Sequence, residues 1–266
     1  YALQDRRVKL ITISCNQGPS LGRNKGLDKA KGDFITFVDD DDYCEPEMLE
    51  FLWNLKNSKN ADIAICGSWY DYNGTKAPKY IYDEELVLDK VQGLDELLKR
   101  EKYNVSPATK IYRRSLFDGI RFPSGVLVDD IHVIYKVFAN ANTIVAKGVP
   151  LYSFAKHGNN LTSFVQDSKL YPELLYEYIT MYRERTKYLS ERVPEIKPRS
   201  RYSEWSYMIS MCNKIKTYKC DNCAEVYKWM INVIYKNIEE FWNSPFITSK
   251  ERDLVKEHFA DNNLIF

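Results

Sequence analysis

The sequence predicts an α/β fold, in which a mostly parallel sheet is covered by helices and is followed by a C-terminal region made of helices alone. In the first part of the chain, short apolar runs alternate with longer amphipathic patterns, which is typical of strands connected by helices. From Tyr171 onward, long helical patterns rich in Tyr, Trp, Lys and Glu replace the short runs. The length of 266 residues is sufficient for one large domain or for a domain with an appendage.

The predicted elements of the first part alternate between strand and helix. Runs of β-branched and aromatic residues predict the strands, and amphipathic runs with start signals such as Pro46 predict the helices. The predicted strands cover residues 8–13, 34–38, 61–70 and 143–149, and the predicted helices cover residues 20–31, 46–56, 91–100 and 131–139. Asn73-Gly74 indicates a tight turn after the third strand.

The last part of the chain is predicted to be helical. Prolines near residues 194–198 and 243–245 divide the pattern into separate helices. Because the pattern changes near residues 165–170, we predict a domain over residues 1–168 and a helical region over residues 169–266.

The most informative local pattern is the strand at residues 34–38, which runs directly into the aspartates Asp39 to Asp42. Neighbouring carboxylates destabilise one another, so such a cluster is favoured where a cation neutralises it. On an extended backbone, side chains two residues apart point the same way, so Asp39 and Asp41 can converge on one ion. Oxygen ligands favour Mg²⁺ or Mn²⁺. The alternative is an acidic turn, in which Asp42 orders the helix that follows Pro46.

A series of further motifs surrounds this strand. They are Gly22-Arg23-Asn24-Lys25-Gly26-Leu27, Gly32-Asp33, Tyr43, Lys110-Ile111-Tyr112-Arg113-Arg114 and Val128-Asp129-Asp130-Ile131. The series resembles the inverting family 2 glycosyltransferases of the GT-A fold. Members of that family carry Ala-Arg-Asn-x-Gly-Leu, then Thr-Gly-Asp/Glu-Tyr/Phe, then a strand ending in Asp-x-Asp-Asp-Tyr, and later a Glu-Asp pair. The order of the motifs makes the resemblance far more specific than any single motif.

One part of the family pattern has no match. Family members open with an apolar strand, a Pro-x-Tyr-Asn loop and a second strand ending in Asp-Asp-Gly-Ser, which together grip the nucleotide base and ribose. The sequence begins in what resembles the helix after that second strand. We therefore expect that the first nucleotide-binding strands of the family are missing from these 266 residues. Either the natural protein lacks these strands or, as we favour, the 266 residues are part of a longer chain.

The resemblance implies transfer of a sugar from a nucleotide-diphosphate sugar to a hydroxyl group, with Mn²⁺ or Mg²⁺ as cofactor. The leaving diphosphate gains negative charge, which a divalent cation and basic groups stabilise. Asp41 is the expected primary metal ligand, and Asp39 is expected to contact the ribose or the water shell of the metal. Arg23, Asn24 and Asp40 are the expected donor-binding residues. From the residues alone, Arg23 could equally lie on a helix surface, and Asn24 could cap a helix.

The acceptor hydroxyl must lose its proton as it attacks, which requires a positioned base. Asp130 is the predicted base, because it matches the second acid of the family's Glu-Asp pair. Asp129 is expected to orient Asp130 or to shift its pKa. The alternative role for Asp130 is that of a helix N-cap.

Two further residues are weaker candidates. Lys110 lies in the Lys-Leu-Tyr-type segment of the family and is expected to contact the acceptor or the diphosphate, although it could also be a surface lysine at a strand end. His157 falls where some GT-A enzymes place a late metal ligand or diphosphate contact, although a lone histidine is more often a surface residue.

Composition limits the partners. The formal net charge is +1 with 28% charged residues, so no overall field favours nucleic acid. No apolar run reaches the roughly 20 residues that span a bilayer, and the scattered cysteines suit the cytoplasm. Cys220 and Cys223, with Cys212, have the spacing of a zinc site, but ordinary thiols are the preferred interpretation. Glycan, lipid-linked or protein-linked acceptors fit the resemblance, while peripheral contact with the inner face of the membrane and a homo-oligomer stay open.

Two other classes of function are kept as alternatives. A haloacid-dehalogenase-like phosphatase also begins its chemistry at a strand ending in Asp-x-Asp, but it requires Thr or Val where this chain has Tyr43. A catalytically silent binding or assembly protein could keep the GT-A shell. Retention of Asp39, Asp41 and Asp130 argues against it.

Overall fold

The computed structural model describes residues 1–14, 18–157 and 170–264. Its strands form a seven-stranded sheet in which β1, β6, β3, β7 and β2 lie side by side, while β4 pairs with β3 and β5 pairs with β7. The strands are β1 (Phe34–Thr36), β2 (Tyr43–Cys44), β3 (Ile63–Tyr72), β4 (Thr75–Lys79), β5 (Glu85–Asp89), β6 (Lys110–Arg113) and β7 (Thr143–Ala155). The predicted α/β class is thereby confirmed.

The predicted mostly parallel character of the sheet is wrong. Only β3 and β7 run parallel, and every other pairing among the described strands is antiparallel. The sequence patterns did not predict four of the strands, and each of these four runs antiparallel to its neighbours in the sheet: β2, β4, β5 and β6. The turn at Asn73 and Gly74 was predicted correctly. Both residues have positive φ, at 54° and 92°, as a two-residue hairpin turn requires.

The strand predicted at residues 8–13 is also wrong. Residues 1–14 contain no strand, and Leu10 is 81% exposed. A strand is stabilised by pairing with a neighbour. Within the described part of the chain, β1 pairs with β6 alone, and the segment at residues 8–13 has no pairing partner.

The helices of the first part cover the sheet and agree with the predicted positions to within a few residues. They are α1 (Pro19–Lys29), α2 (Met48–Ser58), α3 (Lys90–Lys99) and α4 (Ile134–Asn140), with short 3₁₀ turns at Arg114–Phe117 and Asp130–His132. A reciprocal capping box between Asp89 and Gln92 fixes the start of α3. Buried side chains from α3, α4, β3 and β7 form the larger core on one side of the sheet.

The C-terminal region is helical, as predicted. It contains α5 (Pro172–Arg192), α6 (Lys197–Tyr218), α7 (Ala224–Lys236), α8 (Ile238–Trp242) and α9 (Ser249–Asp261), with 3₁₀ turns at Pro194–Ile196 and Asp221–Cys223. Helix α5 is shared between two cores. Its Met181 and Leu189 pack into the core of the sheet domain, whereas Leu175 and Ile179 pack into the core formed by the later helices. The predicted domain boundary near residues 165–170 lies mostly outside the described residues.

None of the described helices is both long enough and apolar enough to cross a bilayer.

Candidate functional site

A cleft of about 650 Å³ lies between the ends of the sheet strands and the C-terminal helices. Two groups of side chains line it. We call the first the acidic wall, which consists of Arg23, Asp39, Asp40, Asp41, Asp42, Asp129 and Asp130. We call the second the basic–aromatic wall, which consists of Arg100, Tyr178, Tyr182, Tyr207 and Lys214. The cleft therefore brings together the acidic residues that the sequence singled out at two places far apart in the chain.

The Asp42 side chain holds the acidic loop, residues 39–42, in place. Its Oδ2 accepts a hydrogen bond from Tyr152 Oη at 2.8 Å, and its Oδ1 accepts one from the Ala155 N–H at 2.8 Å. The Asp39 N–H in turn donates to Tyr152 Oη at 3.1 Å. Burial raises the pKa of Asp42 to about 6. Asp42 thus ties the loop to β7 and does not order α2, which corrects that part of the acidic-turn alternative.

Arg23, on α1, connects the two acidic segments. Its Nη2 donates to Asp39 Oδ1 at 2.7 Å and its Nη1 donates to Asp129 Oδ1 at 2.6 Å. Ser20 Oγ donates to the second oxygen of Asp129 at 2.9 Å. Because the Asp129 side chain is only 6% exposed, these bonds compensate a carboxylate that is removed from water. Arg23 therefore lines the cleft and holds its acidic wall together.

Asp130 is set apart from this network. Its Oδ1 is buried and has no hydrogen-bond partner within the described part of the chain. Burial, followed by the charge of Asp129, raises the pKa of Asp130 to about 6, against the opposing charges of Arg23 and Arg100. Helix α4 begins after Val133, so Asp130 is not its N-cap. A carboxylate with an unused oxygen and a raised pKa, in a cleft, is suited to accept a proton.

Asp41 and His157 come together at the exposed edge of the acidic wall, with Asp41 Oδ2 and His157 Nε2 3.2 Å apart. The contact is a hydrogen bond, and both atoms are of types that ligate a divalent cation. Asp39 faces the same cleft as Asp41, as predicted, but its Oδ1 is bonded to Arg23. The described residues contain no ready-made group of three metal-ligating side chains, at the three cysteines or elsewhere. Among the described residues, a turn of Asp39 would bring a further carboxylate toward Asp41.

The predicted donor-binding residues Asp40 and Asn24 have different surroundings. Asp40 is exposed on the cleft. Asn24 is turned to the backbone of Phe122, donating from Nδ2 to its carbonyl at 2.8 Å and accepting from its N–H at 2.9 Å. The geometry therefore corrects both interpretations of Asn24. The residue contacts neither the cleft nor a helix end, and it attaches α1 to the segment before Asp129.

Lys110 is also corrected, because it is fully buried. Its Nζ donates to Ser106 O at 2.7 Å and lies 3.3 Å from Ala108 O and 3.4 Å from Thr109 Oγ1. Burial lowers the pKa of Lys110 to about 7. Lys110 is thus neither a surface lysine nor in contact with the cleft, and it supports the loop whose residues Asn104 to Ser106 line that cleft.

The basic–aromatic wall was not predicted as a site. Tyr178 and Tyr182 on α5 both stack on Tyr207 of α6, with ring centroids 5.7 Å and 4.6 Å apart. The helical spacing of these tyrosines in the sequence favours core residues, with stacking on sugars as an open alternative. Arg100 gave no signal, because it follows a helix that carries many charged residues.

Comparisons with known proteins agree with this geometry. Residues 1–121 match the family model described as glycosyl transferase family 2. The matched region includes Asp39 to Asp42 and Arg23 but ends before Asp129 and Asp130. The predicted resemblance is thereby confirmed, and the phosphatase alternative loses its support.

Among curated relatives, the chain is 27% identical over 171 residues to glycosyltransferase GlyG of Streptococcus pneumoniae, covering 60% of this chain and 56% of that protein. It is 30% identical over 210 residues to the putative glycosyltransferase EpsH of Bacillus subtilis, covering 72% of this chain and 55% of that protein. The chain therefore spans about half the length of these two relatives.

The fold is similar to that of a solved structure, S. aureus TarS residues 1–349 in complex with UDP-GlcNAc. The TM-score is 0.56 at 17% identity, and the match covers 97% of this chain and 76% of that one. The predicted GT-A-like fold with its C-terminal helices is confirmed by this similarity.

Proposed function

We propose that this chain, whose residues 1–121 match the model of glycosyl transferase family 2, transfers a sugar from a nucleotide-diphosphate sugar to a hydroxyl acceptor with inversion at the anomeric carbon. The observation that carries the proposal is the cleft itself. It combines a loop of four aspartates with the Arg23 guanidinium, which forms ion pairs with both acidic segments. It also contains the buried Asp130 carboxylate, whose pKa is raised.

In this proposal Asp130 is the base. With a pKa of about 6, its carboxylate is ionised at neutral pH but remains a better proton acceptor than an ordinary aspartate. It takes the proton of the acceptor hydroxyl while the oxygen attacks the anomeric carbon from the face opposite the diphosphate. Asp129 and Arg23 hold the segment in place, because both oxygens of Asp129 are bonded.

Asp41, with His157, would hold a divalent Mn²⁺ or Mg²⁺ ion, which supplies positive charge to the leaving diphosphate when bound. The fit rests on the 3.2 Å spacing of the two side chains and on the carboxylates beside them. Asp39 and Asp40 would orient the donor. The Asp39 carboxylate is held by Arg23, so its unbonded oxygen is the atom available to a ribose hydroxyl or to a water molecule on the ion.

The class of acceptor is proposed from the relatives. Some are named for polymer modification, such as the poly(ribitol-phosphate) β-N-acetylglucosaminyltransferase TarS of Staphylococcus aureus, to which the chain is 30% identical over 183 residues. We therefore propose synthesis or decoration of a surface polysaccharide or glycoconjugate, on the cytoplasmic side of the membrane where nucleotide sugars are available.

A panel of nucleotide sugars tests the proposal. The purified protein is incubated with each donor and Mn²⁺, and nucleoside diphosphate release is measured. Release from at least one donor is expected. An Asp41→Ala, Asp130→Asn double variant serves as the inactive control. If no donor gives more release than this control, the protein is a binding or assembly protein with a glycosyltransferase shell.

A further inference from the structure

The two walls of the cleft have opposite charge character. On the acidic wall, Arg23 forms direct ion pairs with both Asp39 and Asp129. On the basic–aromatic wall, neither the Arg100 guanidinium nor the Lys214 ammonium forms an ion pair or hydrogen bond with the described residues, and both line the cleft. The basic–aromatic wall thus presents two cations that form no ion pair with residues 1–14, 18–157 and 170–264.

Arg100 occupies a position that is normally given to glycine. It follows α3 with φ 61° and ψ 30°, the left-handed conformation, and its N–H donates to Glu96 O. Glycine adopts this conformation freely, whereas another residue pays roughly 1 kcal/mol. The backbone conformation at this position therefore does not favour arginine. What the residue contributes is its side chain, which is exposed in the cleft and close enough to Asp130 for its charge to act on that carboxyl.

The tyrosines next to these cations form a rigid surface. Tyr207 is nearly parallel to both Tyr178 and Tyr182, with interplanar angles of 13° and 21°. The buried Arg185 lies against Tyr182 with its guanidinium carbon 4.3 Å from the ring centre. Because these rings hold one another, they lose little freedom when a ligand packs on them. Aromatic rings with hydroxyl groups suit a sugar or polyol, which has both apolar C–H faces and hydroxyls.

We propose that this half of the cleft binds an acceptor that carries an anionic group, a phosphate or a carboxylate, with the anion on Arg100 and Lys214 and the carbohydrate on the tyrosines. The inference rests on the proposed glycosyl transfer and names the substrate class for it. With its anion on Arg100, an acceptor would extend toward Asp130, so one of its hydroxyls would lie beside the base. A neutral acceptor would leave both cations without a direct ion-pair partner among the described residues.

Binding of matched probes tests this inference. Glucuronate, glucose 6-phosphate and neutral glucose are titrated into the full chain by calorimetry, in the presence of UDP and Mn²⁺ so that the donor end is filled. We expect both anionic probes to bind about 10-fold or more tightly than glucose, because a charge-assisted pair contributes about 1.5–3 kcal/mol. Raising the salt from about 0.1 to about 0.5 M should reduce the preference. The two anionic probes show whether phosphate or carboxylate is favoured.

Substitutions locate the effect. Arg100→Gln should remove most of the preference for the anionic probes, and Arg100→Lys should keep part of it. Lys228→Gln, an exposed lysine on α7 outside the cleft, should leave the preference unchanged. An equal affinity for glucose and the two anions, or an Arg100→Gln variant that retains the full preference, would overturn the inference. Absence of nucleoside diphosphate release from every donor is a separate result, which would refute the transferase proposal while these binding data still decide the anion site.

Discussion

On the acidic wall, a network of ion pairs fixes part of the charged side chains, whereas on the basic–aromatic wall the cations face the open cleft. Arg23, Asp39 and Asp129 form a closed set of ion pairs, and Tyr152 fixes Asp42. Arg100 and Lys214 make no ion pair with the described residues. The difference indicates that the first wall is organised before any substrate arrives, while the second wall depends on a ligand for its counterions.

The walls also differ in where they come from. The acidic wall is contributed by α1, the loop after β1 and the segment before α4, all within the first 140 residues. Most of the basic–aromatic wall comes from α5 and α6. These positions support a donor site formed by the sheet domain and an acceptor site formed by the C-terminal helices.

Removing Arg23 should have the largest effect on stability. Arg23→Met leaves the buried Asp129 carboxylate without its cation, which should cost about 3–5 kcal/mol in the free energy of unfolding. Urea denaturation measures this change. The double variant Arg23→Met, Asp129→Asn is the matched control and should recover much of the loss, because it removes the uncompensated charge. A loss of less than about 1 kcal/mol in Arg23→Met would show that the network is not what organises the wall.

Removing Asp41 should affect catalysis but not folding. Asp41 is exposed, so Asp41→Ala should leave the free energy of unfolding nearly unchanged. Turnover should fall by about 10²-fold or more, since the cation would lose its main ligand. A chelator should abolish the activity of the natural protein. Full activity of Asp41→Ala in the presence of the chelator would eliminate the metal role.

Replacing Lys110 should change the pH dependence of stability. Burial lowers the pKa of Lys110 from 10.5 to about 7. Between these values the unfolded chain holds a proton that the folded chain does not, so stability should rise with pH by at most about 1.4 kcal/mol per pH unit from this group. Lys110→Met should remove this rise, which denaturation at about pH 7.5 and pH 9 would detect. An unchanged slope would show that Lys110 stays charged when folded.

The sequence was sufficient to find Asp39 to Asp42, because a strand that ends in four carboxylates is a local pattern, and the family resemblance added Asp129 and Asp130. Asp39, Asp41 and Asp130 do line one cleft. Their bonding partners were not predictable in the same way. The bond between Arg23 and Asp129 joins residues 106 positions apart, and no local pattern encodes it.

Lys110 and Arg100 show two ways in which the local sequence misleads about where a charged side chain lies. A lysine at the start of a strand looks exposed, but the acceptors of Lys110 include backbone carbonyls whose positions only the folded loop determines. An arginine at the end of a charged helix looks like a solvent-facing residue, and only the packing of α5 and α6 against the sheet domain makes it part of a cleft. The antiparallel sheet was missed for a similar reason, since strands as short as β2 have no periodic pattern.

The raised pKa of Asp130 makes a smaller, separate prediction. The folded protein holds the Asp130 proton more tightly than the unfolded chain, so stability should fall as the pH rises from about 4 to about 6. Asp130→Asn removes this cost and should therefore be slightly more stable than the natural protein at neutral pH. Denaturation at about pH 7 compares the two. A less stable variant would show that the carboxylate itself supports the fold.

The most direct test of the central claim is the turnover of Asp130→Asn on the donor found in the panel. The substitution keeps the shape of the side chain but cannot accept a proton, so we expect kcat to fall by about 10²-fold or more while donor affinity is nearly unchanged. Activity of the natural protein should fall as the pH drops through about 6. Asp42 has a similar pKa, so the comparison with Asp130→Asn assigns the effect. An Asp130→Asn variant that keeps the kcat of the natural protein would contradict the account.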